Sequence, residues 1–157
     1  MINETRKLVK LLTKKKLTIA FAESVTCGLA AHQLSTVKGT SEVLKGAIIC
    51  YDETVKTSLL KVKHSLIKKF SAESQEVTDA LATNLGSLIK ADVHAAFTGL
   101  SSDGASEHEG KPVGTIFFSI RYKNKMYRTK KLFRGSPLKI KKKACVNMYK
   151  RIIQIIS

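Results

Sequence analysis

Tryptophan is absent from this 157-residue chain, proline occurs only twice, and no acidic residue follows Glu109. So little proline excludes a proline-rich linker or a collagen-like repeat. Cysteine is sparse as well: Cys27, Cys50 and Cys145 are odd in number, widely spaced and form no C-x-x-C pair. That pattern excludes a disulfide framework and a structural zinc site, and reduced thiols are expected. The histidines, His32, His64, His94 and His108, show no ligand spacing, so no protein metal site is expected. No run approaches the roughly 20 apolar residues of a membrane span. The start, Met1-Ile-Asn-Glu-Thr-Arg-Lys, lacks the apolar core of a signal peptide. A cytoplasmic location is expected, with no membrane partner.

What is present suits one globular domain over residues 1–157: 43% of residues are hydrophobic and 25% are charged. The formal charge of +16 is unevenly placed. Residues 1–109 hold 14 Lys/Arg and all 12 Asp/Glu, whereas residues 110–157 hold 14 Lys/Arg and no acid. Such a basic tail attracts anions. Its cations are mostly lysine, without interleaved aromatics, which reads as a solvated surface. Nucleic acid is therefore not an expected partner.

Periodicity supplies the elements. Residues 2–16 carry Ile2, Leu8, Val9, Leu11 and Leu12 at helical spacing. Residues 17–22 read as a buried strand, 26–37 as a helix, and Gly46–Tyr51 as a second strand. Asp52 or Glu53 can cap a helix running to Leu60, and a short helix covers 64–70. Ser74 caps a long helix to Lys90, and Ala91–Thr98 is a third strand. A polar loop spans Gly99–Gly110. Val113–Tyr122 and Lys125–Phe133 form a hairpin about Lys123-Asn124. A last helix starts near Ser136, with Pro137 in its first turn. This alternation predicts an α/β fold, a three-layer α/β/α sandwich around a mixed β-sheet.

In such folds ligands bind where strands end. Here Glu23-Ser-Val-Thr-Cys-Gly28, Tyr51-Asp-Glu-Thr-Val-Lys56 and Thr98-Gly-Leu-Ser-Ser-Asp-Gly104 follow three strands. If those strands are parallel neighbours, Ser24, Tyr51, Lys56 and Thr98 converge on one cleft. No histidine is near, so a Ser-His-Asp triad is not supported. A serine can instead be activated by a neutral lysine, provided burial lowers the lysine pKa. The following helix N-terminus would offer oxyanion donors. On spacing alone, Ser24 is equally a plain helix cap or a nucleophile.

The segments Ala22-Glu-Ser-Val-Thr-Cys-Gly28, Gly46-Ala-Ile-Ile-Cys-Tyr51 with Lys56, Ala91-Asp-Val93 leading to Thr98-Gly99, and Lys111-Pro-Val-Gly-Thr115 occur in this order. Together they resemble the CinA C-terminal domain family, the competence/damage-inducible proteins, over essentially the whole chain. The resemblance implies a nicotinamide-nucleotide amidase that hydrolyses nicotinamide mononucleotide (NMN) to nicotinate mononucleotide and ammonia by a Ser-Lys mechanism, without cofactor or metal. It implies Ser24 as nucleophile, Lys56 as general base and Tyr51 as a positioning or relay group. Thr26, Cys27 and Gly28 would shape an oxyanion or phosphate cradle, Thr98 and Gly99 would line the pocket, and Lys141 would bind substrate phosphate. Many members also carry an N-terminal molybdopterin-binding-like domain, which is not expected here. A homo-oligomer, a symmetric dimer, is expected.

Three differences from the family pattern bear on substrate. Cys27 stands where the family's A-E-S-C-T-G-G has glycine. Ser102 and Asp103 replace glycine and proline of T-G-I-A-G-P-G-G. Gly135-Ser136-Pro137 stands where the family shows G-D-R, so Ser136 and Pro137 replace its aspartate and arginine. These differences motivate a second reading, a catalytically altered nucleotide-binding or competence/DNA-damage accessory protein.

Overall fold

The apolar alternation along the first and third strands determines where the layers lie. In the computed structural model, which describes residues 2–103, 106–108 and 110–157, these are β1 (Ile19–Glu23) and β3 (Val93–Gly99). Ile19, Phe21, Val93, Ala95 and Phe97 face one layer, while Ala20, Ala22 and Ala96 face the other. Successive side chains of a strand alternate in this way, so one short sequence serves two cores. Phe21, Phe97 and Phe118 stack through the larger core with ring centroids 6.2 and 5.9 Å apart. The alanines opposite leave room for a close helix.

The remaining strands are β2 (Leu44–Ile49), β4 (Thr115–Tyr122) and β5 (Lys125–Leu132). The sheet order is β2-β1-β3-β4-β5. β1 is parallel to both β2 and β3, and β3-β4-β5 is antiparallel. The mixed sheet is thus as expected. β5 is an edge strand rich in exposed lysine, which discourages pairing with other chains.

Helices cover both faces. On the Phe97 side lie α1 (Ile2–Lys15), α2 (Leu29–Ser35), α3 (Thr40–Val43) and, after the hairpin, α7 (Pro137–Ile156). Between β2 and β3 come α4 (Glu53–Ser58), α5 (His64–Phe70) and α6 (Gln75–Leu88); α5 and α6 pack on the alanine face. Leu81 and Leu85 of α6 are wholly buried there. No helix among the described residues is long and apolar enough to cross a membrane.

Most boundaries move by a residue or two, as terminal turns do. One shift matters for the site. Helix α2 starts at Leu29, not at residue 26, because Cys27 (φ 50°) and Gly28 (φ 88°) are left-handed. Residues 25–28 are a turn. The expected loop Gly99–Gly110 is described except at 104, 105 and 109, and is closed at its end by a bridge from His108 to Lys111.

Candidate active site

β1 is flanked by β2 and β3, so the chain leaves β1 toward one side and returns on the other. A crevice opens at the carboxyl ends of β1 and β3, the usual ligand position in open α/β sheets. Ser24 follows β1, and Gly99 ends β3 with Leu100 to Ser102 following it. These residues line a cavity of about 190 Å³ together with Val25, Tyr51 and Glu73.

Lys56 reaches the crevice from α4. Asp52 caps that helix, its Oδ1 accepting from the Thr54 N–H at 2.8 Å. One turn further on, Lys56 points inward and is only 2% exposed. Its Nζ donates to the Cys50 carbonyl at 2.5 Å and the Tyr51 carbonyl at 3.1 Å, and lies 3.0 Å from Ser24 Oγ. Burial pushes the Lys56 pKa below its ordinary value, although Cys50, Glu73, Asp52 and Glu53 oppose the shift. Two carbonyls and one hydroxyl therefore surround a nitrogen biased toward the neutral amine.

The structure changes the role expected for the helix N-terminus. Glu23 is fully buried, and its carboxylate accepts from the α2 amides of Ala30 (3.1 Å) and Ala31 (2.8 Å). The acid caps α2 in place of Ser24, with favourable charge at the positive end of the helix. Those amides are thus unavailable to an oxyanion. In the turn itself, Ser24 N–H donates to Phe97, Cys27 N–H to Ser24 and Leu29 N–H to Thr26. The N–H groups of Val25 and Thr26 donate to no backbone carbonyl among the described residues. Beside them, the buried Thr26 hydroxyl has no hydrogen-bond partner among the described residues.

The other expected residues are placed as follows. Gly28 makes the turn, where a Cβ would meet Ile49 Cδ1 at 3.0 Å. The Cys27 side chain is exposed, beside the turn rather than inside it. Tyr51 contributes its carbonyl to Lys56, while the residue is 64% exposed at the rim. Thr98 is fully buried and lies behind the cavity, its hydroxyl 2.7 Å from that of Thr78. Gly99 does line the cavity, and a Cβ there would lie 2.3 Å from the Thr115 carbonyl oxygen. Lys141, half-buried on α7, is not among the lining residues.

The sequence profile of the CinA C-terminal domain matches residues 3–156. The chain belongs to the CinA C-terminal domain family. A CinA-like protein of Prochlorococcus marinus is 36% identical over 152 residues, covering 93% of this chain and 35% of that protein. The chain thus spans about a third of that curated relative's length. Among solved structures, a CinA superfamily protein of Escherichia coli superposes with a TM-score of 0.93 at 26% identity, covering 99% of this chain and 90% of that one. A competence or damage-inducible protein of Enterobacter asburiae has the same fold, with a TM-score of 0.93 at 22% identity over 99% and 98% of the two chains.

Within this CinA domain, two functional neighbours escaped the reading by motif. Glu73 enters the cavity wall from the turn before α6. Lys111, 5% exposed, donates to Ser71 Oγ at 2.7 Å, the Glu73 carbonyl at 3.1 Å and Ser106 Oγ at 2.7 Å. It ties the loop after β3 to the turn before α6. Burial lowers its pKa, against the charge of Glu73. Lys111 opened a recognised segment, Lys111-Pro-Val-Gly-Thr115, which was its only sequence signal. Nothing in the sequence singled out Glu73.

Proposed function

We propose that the chain is an amidohydrolase acting on a nicotinamide nucleotide, with Ser24 as nucleophile and Lys56 as general base. The observation that carries this reading is the 3.0 Å approach of buried Lys56 Nζ to Ser24 Oγ, with both other polar contacts of that nitrogen made to carbonyls. A serine–lysine pair of this geometry is an activated nucleophile. Family membership supports the fold of the site, and the choice of NMN follows from the resemblance of the motifs.

Lys56 takes the hydroxyl proton as Ser24 Oγ attacks the carboxamide carbon. The oxygen of the resulting tetrahedral adduct becomes anionic and is received by the Val25 and Thr26 amides, with the unpaired Thr26 hydroxyl alongside. Lys56 then passes the proton to the leaving nitrogen, ammonia departs, and an ester on Ser24 remains. Water, deprotonated by the same amine, attacks that ester, and the carboxylate product leaves. Tyr51 serves through its carbonyl, which holds Lys56 in place. Arg134, Lys139 and Lys141 are available for phosphate. They belong to the segment after β5, which ends beside the start of β4 at the cavity end of the sheet.

The test is ammonia release from NMN by the intact chain and by Ser24→Ala. Loss of turnover in a variant that still melts cooperatively is expected. Undiminished release would refute the nucleophile assignment, and binding without any release by the wild type would favour the nucleotide-binding reading.

A further inference from the structure

The chain carries a formal charge of +16, yet the one charged side chain lining the Ser24 cavity among the described residues is a carboxylate, Glu73. Glu73, Asp52 and Glu53 are carboxylates that favour the charged form of Lys56. Of these, Glu73 lines the cavity itself, where its neighbours are Ser24, Val25, Tyr51, Gly99, Leu100, Ser101 and Ser102. It is the one carboxylate among the described lining residues.

Its position is built rather than incidental. Ser106 Oγ donates to Glu73 Oε2, and Lys111 Nζ holds the same serine oxygen at 2.7 Å while donating to the Glu73 carbonyl at 3.1 Å. The carboxylate is therefore anchored through one oxygen. Lys111, 5% exposed, donates to the same serine oxygen that holds the carboxylate. Tyr51, 64% exposed, also lines the cavity. A fixed carboxylate in a partly closed space attracts a cation and repels an anion.

We infer that Glu73 makes the Ser24 cavity selective for an amide borne on a cationic ring, with any phosphate of the substrate left outside toward the basic start of α7. This rests on the amidohydrolase reading above and names the charge state that the site accepts. Glu73 acts here as a specificity-determining residue. It takes no part in the proton transfers of Ser24 and Lys56.

The probe pair is NMN and its dihydro form, which share the amide, ribose and phosphate and differ in the charge of the ring. Binding is measured calorimetrically on the full chain carrying Ser24→Ala, so that no turnover interferes. The oxidised form is expected to bind about tenfold more tightly. Adding Glu73→Gln should bring the two affinities within about twofold, and Glu73→Asp should keep the preference. Equal binding of the two forms, a preference that survives Glu73→Gln, or no binding of either would overturn the inference. Ammonia release by the wild type is run in parallel. Release without charge preference refutes the role of Glu73 and leaves the hydrolase intact. Charge preference without release refutes the hydrolase and leaves the role of Glu73 standing.

Discussion

Replacing Lys56 with methionine separates a lysine kept for chemistry from one kept for stability. The change keeps a long unbranched side chain and removes the charge. It strips the donor from the Cys50 carbonyl, a loss of about 1–3 kcal/mol if that oxygen stays unpaired. Ser24 Oγ and the Tyr51 carbonyl border the cavity and the rim, so water can replace the lysine there. Against this stands the cost of burying an ammonium, several kcal/mol. Burial lowers the Lys56 pKa against the carboxylates that favour its charge. Lys56→Met is therefore expected to be as stable as the wild type at neutral pH, or more stable by up to about 2 kcal/mol. For a domain of this size that raises the melting temperature by roughly 0–6 °C. Ammonia release from NMN should meanwhile fall by about 10²–10⁴-fold. Thermal unfolding and the release assay on one preparation check both halves. A loss of more than about 2 kcal/mol, or full retention of activity, would refute the reasoning.

Titration of the same lysine gives a second prediction. Its folded pKa lies below the ordinary 10.5, so between those two values the unfolded chain holds the extra proton and stability rises with pH. The stability difference between Lys56→Met and wild type should shrink from pH 7 toward pH 10 in urea titrations, and kcat/KM should rise on an alkaline limb that Lys56→Met removes. Tyr51→Phe leaves the carbonyl that holds Lys56, so activity within about threefold of wild type is expected; a hundredfold fall would assign the hydroxyl a proton-relay role. Gly99→Ala forces a Cβ to 2.3 Å from the Thr115 carbonyl oxygen at φ +148°. A loss of about 2–4 kcal/mol in urea unfolding is expected, and a loss under about 0.5 kcal/mol would show that the backbone there yields freely.

Much of the architecture was legible because its signals are local. Helix α7 was readable from Ser136, which caps it, and Pro137 in its first turn. Helix α6 was readable from Ser74, whose hydroxyl accepts from the Val77 N–H. The hairpin was readable from two alternating runs around Lys123-Asn124, both at positive φ. Boundaries were less legible where a single backbone conformation decides them, as at Cys27 and Gly28. A cysteine at φ 50° is not announced by its identity, because only glycine adopts that region freely.

By itself the sequence determined which segments are strands and helices, that three strand ends carry polar residues, and which family motifs those ends resemble. Tertiary structure alone decided that the three strands are parallel neighbours with β1 between the others, the condition on which the convergence of Ser24 and Lys56 depended. It also decided that Lys56 and Lys111, of 28 basic residues, are buried, since burial is a property of packing and not of residue type. Sequence proximity suggested Ser24 as the cap of α2, but the structure gives that task to Glu23. The carboxylate, one residue closer to the strand, reaches past a left-handed turn to amides seven and eight positions on. Ser24 is thereby free to meet the lysine, an outcome fixed only when the turn, the strand order and α4 are assembled together.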